Sequence, residues 1–229
     1  MKLTSDQIER LYQFTRQHYV EYYDLQTELT DHLANGIEAL WNENPKLSFE
    51  EALQIEFKKF GIFGFMNVVE ERQIALTKKY NGLVWQHFKD FFKLPQILGT
   101  LSAILVIYRI LTFLADVYMI FMILFAVIMI FFFGGLIVMR IKNNRLNKQS
   151  GKKWLFQEII FSYGRFAGFS YLPMQLFIHL EGISKTNYGI IFISVVLVLM
   201  ILLDYILLIR IPKKSEEYLT ATYPEYKLM

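Results

Sequence analysis

Between Val117 and Met139 the chain runs VYMIFMILFAVIMIFFFGGLIVM, without a single charged side chain. At about 1.5 Å of helical rise per residue this stretch is long enough to cross a hydrocarbon core of about 30 Å. No helix or strand of that length stays soluble with its whole circumference apolar, so the chain is read as an integral membrane protein. Three further stretches of spanning length lie at 94–114, 155–180 and 188–209, which with 117–139 predicts four transmembrane helices within residues 94–211. A composition that is 54% hydrophobic and 17% aromatic agrees with that class.

Lysine and arginine are distributed unevenly around these spans. The segment 140–153, RIKNNRLNKQSGKK, carries six basic residues and no acid and is read as a loop. Lys78, Lys79, Lys89 and Lys93 precede the first span, and Arg210, Lys213 and Lys214 follow the last, whereas only Lys185 falls on the other side. The positive-inside rule then predicts a bacterial cytoplasmic (inner) membrane protein with the central loop and both termini cytoplasmic. The polar, helical start MKLTSDQIERLYQ is not a cleavable signal sequence.

Residues 1–80 have a different character. Up to residue 77 there are 7 basic against 13 acidic residues, a balance of −6; from residue 78 onward there are 17 against 8, a balance of +9. An acidic soluble portion repels phosphates and argues against nucleic acid as a partner, while the basic apolar portion suits an anionic membrane surface. Thr4 with Gln7 forms a capping box for a helix from Ser5 to Tyr19. A second helix, Asp24 to Glu43, sets Leu25, Leu29, Leu33, Ile37 and Leu40 or Trp41 on one stripe. Glu28, Asp31, His32, Asn35 and Glu38 fall away from that stripe, and the first four of these form a candidate docking surface. Asn44-Pro45 stops the helix.

Ser48 with Glu51 caps a third helix bearing Phe49, Leu53, Phe57 and Phe60, with Gly61 expected at C′. Asn67 with Glu70 predicts a fourth, running to Lys79 and broken by Asn81-Gly82. Residues 81–93, containing LVWQHFKDFFK, read as an amphipathic linker helix in the membrane interface, or alternatively as a last helix packed on the soluble unit. Residues 212–229 are left as a cytoplasmic tail. The fold class is therefore all-α: a small cytoplasmic helical domain over residues 1–80, followed by a four-helix transmembrane bundle.

Catalytic and cofactor signatures are missing. The chain has no cysteine, which excludes disulfides, thiolate catalysis and cysteine-held metals. Its four histidines, His18, His32, His87 and His179, are dispersed without metal-ligand spacing. Asp31 and His32 are adjacent on a helix and so point about 100° apart, which excludes a dyad. No phosphate-binding or nucleophile-elbow pattern is present.

What remains is ionisable residues in the spans, where charge is costly. The third span places Glu158, Ser162 and Arg165 on one strip, with Gln157, Gly164, Gly168, Tyr171, Gln175 and His179 beside it and Pro173 as a kink. Counting rise, Glu158 and Asp204 lie roughly 6 and 9 Å inside the cytoplasmic edge, Arg165 roughly 16 Å and Arg109 roughly 22 Å. Glu158, Ser162, Arg165, Asp204 and Arg109 thus form a candidate buried polar cluster. It reads either as structural ion pairs, with Arg165 paired to Asp204 or Glu158, or as a polar cavity for a ligand, ion or proton.

Three elements of the soluble portion carry a resemblance: Glu28-Leu29-Thr30-Asp31-His32-Leu33, Ser48-Phe49-Glu50-Glu51-Ala52-Leu53 and Phe60-Gly61. Over residues 20–75 the chain resembles the HAAS-type (permease-prefix-like) cytoplasmic helical domain of bacterial membrane proteins. It departs from that pattern in the turn, where Asn44-Pro45-Lys46-Leu47 stands in place of the usual glycine. Members of the family precede transmembrane helices, and many accompany PadR-like transcription regulators, so the resemblance implies signalling or docking rather than catalysis. The expectation is a non-enzymatic membrane protein without cofactor or metal. Its partners would be the bilayer and a cytoplasmic regulator or membrane subunit, either as a monomer or as a homo-oligomer. The alternative is a small transporter or permease subunit using a polar cavity lined by the third span.

Overall fold

The computed structural model describes residues 2–113, 116–162, 186–223 and 226, and every regular element among them is helical. α1 (Ser5–Gln17) opens with the expected box, Thr4 accepting from the Gln7 amide while the Gln7 side chain accepts from the Thr4 amide. It ends two residues before Tyr19, whose φ of +63° is incompatible with continuing a right-handed helix. α2 (Tyr23–Glu43) buries Leu25, Leu29, Leu33, Ile37 and Trp41, the stripe that its periodicity requires. α3 (Phe49–Lys58) begins with the Ser48–Glu51 box and buries Ala52, Leu53 and Glu56 against α2. Phe60 intervenes between the C-cap Lys59 and Gly61, so the left-handed residue, Gly61 with φ +76°, comes one position later than C′. Phe57 stands 5.0 Å from both Phe14 and Phe65, and Phe60 4.8 Å from Phe65, in edge-to-face pairs that close this end of the helices.

α4 (Met66–Asp90) corrects two expectations. Its N-cap is Phe65, with no side-chain cap, so Asn67 and Glu70 lie inside the helix rather than forming a box. It also runs straight through Asn81-Gly82. An exposed Asn-Gly pair weakens a helix by only about 1–2 kcal/mol, and the burial of Tyr80, Val84 and His87 on the opposite face outweighs that cost. The stretch after residue 80 is therefore the second half of a 25-residue helix. One face of this half is buried, and Trp85 and Lys89 are exposed on the other.

Three helices among the described residues are long and apolar enough to cross a membrane. α5 (Gln96–Phe113) follows α4 directly, and the Thr100 hydroxyl donates to the Phe91 carbonyl at 3.1 Å. α6 (Val117–Ser150) starts from Asp116, which caps the Met119 amide. It carries helical structure eleven residues past Met139, so the basic segment begins as helix rather than loop, and the chain turns only at Gly151 with φ +65°. α7 (Leu155–Phe161) then covers the start of the expected third span; the remainder, including Arg165, falls on 163–185, outside the described residues. α8 (Asn187–Tyr205) continues through a π-helical turn, Ile206–Arg210, and a final turn, Ile211–Lys213. α9 (Ser215–Thr222) lies where a plain tail was expected.

Leu111, Phe121, Ile190, Ile193 and Leu197 join α5, α6 and α8 in one apolar cluster. Their outer surfaces expose Leu98, Leu105, Ile123, Ile130 and Ile137, a distribution suited to lipid rather than water. A second buried cluster is continuous from Leu11 and Leu33 of the N-terminal helices through Val84 to Phe132, Trp154 and Ile206.

The contact of α6 with the π turn depends on Gly135, where an added Cβ would meet the Leu208 side chain at 2.6 Å; at Gly134 it would meet nothing within 4 Å. Gly135→Leu is expected to lower stability by about 1–3 kcal/mol through overpacking. Gly134→Ala should leave it unchanged or raise it by about 0.5–1 kcal/mol. Thermal unfolding of the full chain in detergent reads both, and equal effects at the two positions would remove this packing account.

Candidate functional site

Two helix N-termini meet at the base of the N-terminal helices. α7 begins with Trp154 as N-cap and has no side-chain cap of its own, so its first amide needs a partner. Asp24, in the first turn of α2, supplies it: Oδ1 accepts from the Leu155 amide at 3.1 Å and Oδ2 from the Tyr223 hydroxyl at 2.6 Å. In return the first amide of α2, at Tyr23, donates to the Lys153 carbonyl at 2.7 Å. Lys153 also pairs with Glu21 at 3.0 Å, and the Lys152 ammonium sits 3.8 Å from the centre of the Tyr23 ring. Trp154, 1% exposed, is enclosed by the rings of Tyr23, Tyr223 and Tyr226 at 5.0–5.4 Å.

Burial pushes the Asp24 carboxyl above the ordinary carboxylate range, against the opposing pull of the hydrogen bonds from Tyr223 and Leu155. Burial beside Asp24 also pushes the Tyr223 hydroxyl upward, so it stays a proton donor.

A chain of polar side chains continues from this point toward the bilayer. The buried Gln157 amide donates to Asn143 and Asn147 of α6, both at 2.9 Å, and accepts from the Tyr226 hydroxyl at 3.3 Å. Asn143 donates to Glu158 at 2.6 Å, and Glu158 accepts from Ser162 at 2.5 Å. The i, i+4 spacing of Asn143 and Asn147 puts both on the face of α6 that meets α7.

A second node lies at the end of α4. Asp90 is 3.1 Å from Lys93, 3.2 Å from Arg210 in the π turn that continues α8 and 3.6 Å from His87, whose other ring nitrogen is 2.7 Å from the Tyr218 hydroxyl. Its hydrogen bond from Lys93, with Arg210 nearby, holds Asp90 below the usual carboxylate range, and burial, with Arg210 beside it, lowers His87.

The expected cluster in the spans is brought together only in part. Glu158 and Ser162 are bonded to each other. Asp204 is buried on α8, 9% exposed, with no hydrogen bond or ion pair among the described residues. Arg109 is exposed on the outer side of α5 and so is no member of a buried cluster: depth was legible from its position, but the direction it faces depends on how α5 packs. Arg165 lies outside the described residues. Glu28, Asp31, His32 and Asn35 are all exposed, with Arg72 3.6 Å from Glu28 and Phe60 5.5 Å from the His32 ring. Among the described residues no group of three or more metal-ligating side chains comes together.

Sequence reasoning missed Asp24, Asn143, Asn147, Trp154, Tyr223 and Tyr226. Only the Asn143/Asn147 spacing offered a signal, and it was hidden in a run read as loop. No protein-family model matches the chain, and neither the curated proteins nor the solved structures yield a match.

Asp24→Ala leaves the Leu155 amide and the Tyr223 hydroxyl buried without partners and is expected to cost about 2–5 kcal/mol, whereas Asp24→Asn keeps an oxygen for Leu155 and costs less. Because the folded pKa of Asp24 is raised, the stability it contributes is full below its unfolded value of 3.8 and is lost as pH rises through the higher folded value. His87 has the opposite sign: its contribution is lost as pH falls below 6.5 through its lowered value. Unfolding of wild type and Asp24→Asn across the mildly acidic to neutral range should differ in slope, the variant gaining less on acidification. Parallel profiles would count against a raised Asp24.

Proposed function

We propose that the chain is a non-enzymatic, multi-pass protein of the bacterial cytoplasmic membrane, with four spans and both termini in the cytoplasm. Its N-terminal helical unit, residues 1–80, serves as a docking or signalling platform for a protein partner. The observation that carries this reading is the division of α2. Its apolar stripe is buried and Asp24 anchors its start, while Glu28, Asp31, His32 and Asn35, within an arc of about 100° on the helix, are all exposed. The unit is thus held rigidly against the membrane part, with a mixed acidic and histidine face left free for a partner. The resemblance to HAAS-type domains over residues 20–75 supports the same role.

Affinity capture of the full chain from native membranes is expected to bring down a stoichiometric protein. The variant Glu28→Ala, Asp31→Ala, His32→Ala, Asn35→Ala should lose it while keeping its fold by circular dichroism. Equal recovery with wild type and variant would overturn the assignment of this face. Reporter fusions at Asn144, Thr186 and Met229 should read cytoplasmic, periplasmic and cytoplasmic, and a periplasmic signal at Asn144 or Met229 would sink the topology.

A transport role is favoured by one observation, the buried Asp204 on α8 with no partner among the described residues. Saturable solute uptake by proteoliposomes, lost in Asp204→Asn, would select that reading over docking.

A further inference from the structure

α6 is a continuous rod whose outward face changes chemistry along its length. At 100° per residue, Ile123, Ile130, Ile137, Ile141, Arg145 and Lys148 fall within about 80° of one another, and all six are exposed. The opposite face carries the buried Phe132, Met139 and Asn143. The lipid-facing stripe therefore runs apolar as far as Ile141 and then turns basic. Arg145 and Lys148 stand about 6 and 10 Å further along the same line, the depth at which a phospholipid presents its phosphate beyond the hydrocarbon boundary.

Neither cation has a carboxylate within ion-pairing distance among the described residues. The network holding α6 to α7 uses Asn143 and Asn147 and leaves these two side chains out. A cationic pair on a rigid helix, in line with a lipid-facing stripe and unclaimed by the protein's own acids, is complementary to a monoanionic phosphate attached to acyl chains. A soluble polyanion would match the charges but not the apolar stripe beneath them.

We propose that Arg145 and Lys148, with Ile137 and Ile141 beneath them, form a binding surface for anionic phospholipids of the cytoplasmic leaflet. The proposal rests on the membrane placement put forward above and not on the docking role of the N-terminal unit.

The test uses the full chain in nanodiscs of phosphatidylcholine containing a minor fraction of spin-labelled phosphatidylglycerol or spin-labelled phosphatidylcholine. The motionally restricted fraction of each lipid is read by electron paramagnetic resonance. Wild type is expected to prefer the anionic lipid, with the preference shrinking as salt rises. Arg145→Gln with Lys148→Gln should lower it at least two-fold, and Lys46→Gln with Lys58→Gln, on the N-terminal unit, should leave it unchanged. Should the double variant misfold, the comparison passes to the two single variants, each expected to lose part of the preference. An unaltered preference in variants that fold, or no preference in wild type, overturns the proposal while leaving the membrane placement intact. Failure of the chain to enter nanodiscs at all overturns both. Displacement of the bound lipid signal by a short single-stranded oligonucleotide at equimolar concentration would assign the surface to a soluble polyanion instead.

Discussion

A carboxylate taken out of water must have its oxygens occupied, and at Asp24 that requirement organises the end of the molecule that carries the N-terminal helices. One oxygen is held by the Leu155 amide and the other by the Tyr223 hydroxyl, groups that lie 131 and 199 residues away along the chain. Three distant segments are thereby placed together: the start of α2, the start of α7 and the C-cap of α9. Apolar contact alone would let these segments slide over one another, because burial is non-directional, whereas hydrogen bonds near 3 Å fix distance and angle. Trp154 sits between the two partners of Asp24, and the aromatic rings around it exclude the water that would otherwise compete for the carboxylate.

The position of α7 then dictates what happens along α6. With Leu155 fixed, Gln157 and Glu158 face the α6 extension, and Asn143 and Asn147 meet them there. The buried amides of Asn143 and Gln157 bond one another as neutral groups, and the only carboxylate in the network, the half-buried Glu158, accepts from Asn143 and Ser162. The Asp90 node fastens the same assembly at its other side, joining the end of α4 to the π turn that continues α8 through Arg210. The N-terminal helices are therefore tied to the membrane part at two separate points, and the apolar core beneath them is continuous from Leu33 to Ile206.

What was legible in the sequence follows from how local each signal is. The Thr4 and Ser48 boxes are closed within four residues and were read correctly; so was the Leu25-to-Trp41 stripe, which needs only helical periodicity. Three of the four expected apolar spans were legible because lipid imposes its demand on the whole helix circumference, while most of the third falls outside the described residues. Asn81-Gly82 misled because local propensity favours a break, while the burial of Tyr80, Val84 and His87, which overrides it, depends on tertiary neighbours. The basic run misled in the same way: its charge suggests a loop, yet the helix continues because Asn143 and Asn147 have partners on α7. Arg109 shows the limit from the other side, since depth along a span can be counted but direction requires the neighbouring helix. Asp24 was illegible for the simplest reason. An acid in the first turn of a helix is expected on dipole grounds alone, and nothing local marks this one as reaching across to another helix.

The length of α6 sets the geometry of the rest. Its 34 residues make a rod of about 51 Å, against a hydrocarbon core of about 30 Å, so roughly 20 Å of it must stand outside the acyl chains. That projecting part carries both the amides that hold α7 and, on its far side, the unpaired cations that face outward. One face of this projecting part is thus bonded to α7, and the opposite face is exposed. The rod is uninterrupted from Val117 to Ser150, and the bonds that Gln157 donates to Asn143 and Asn147 join it to the same short helix that Asp24 caps. Any tilt or vertical shift of α6 relative to the membrane must therefore be passed to α2 or be taken up by breaking hydrogen bonds in a buried setting, which costs about 1–3 kcal/mol for each group left unpaired.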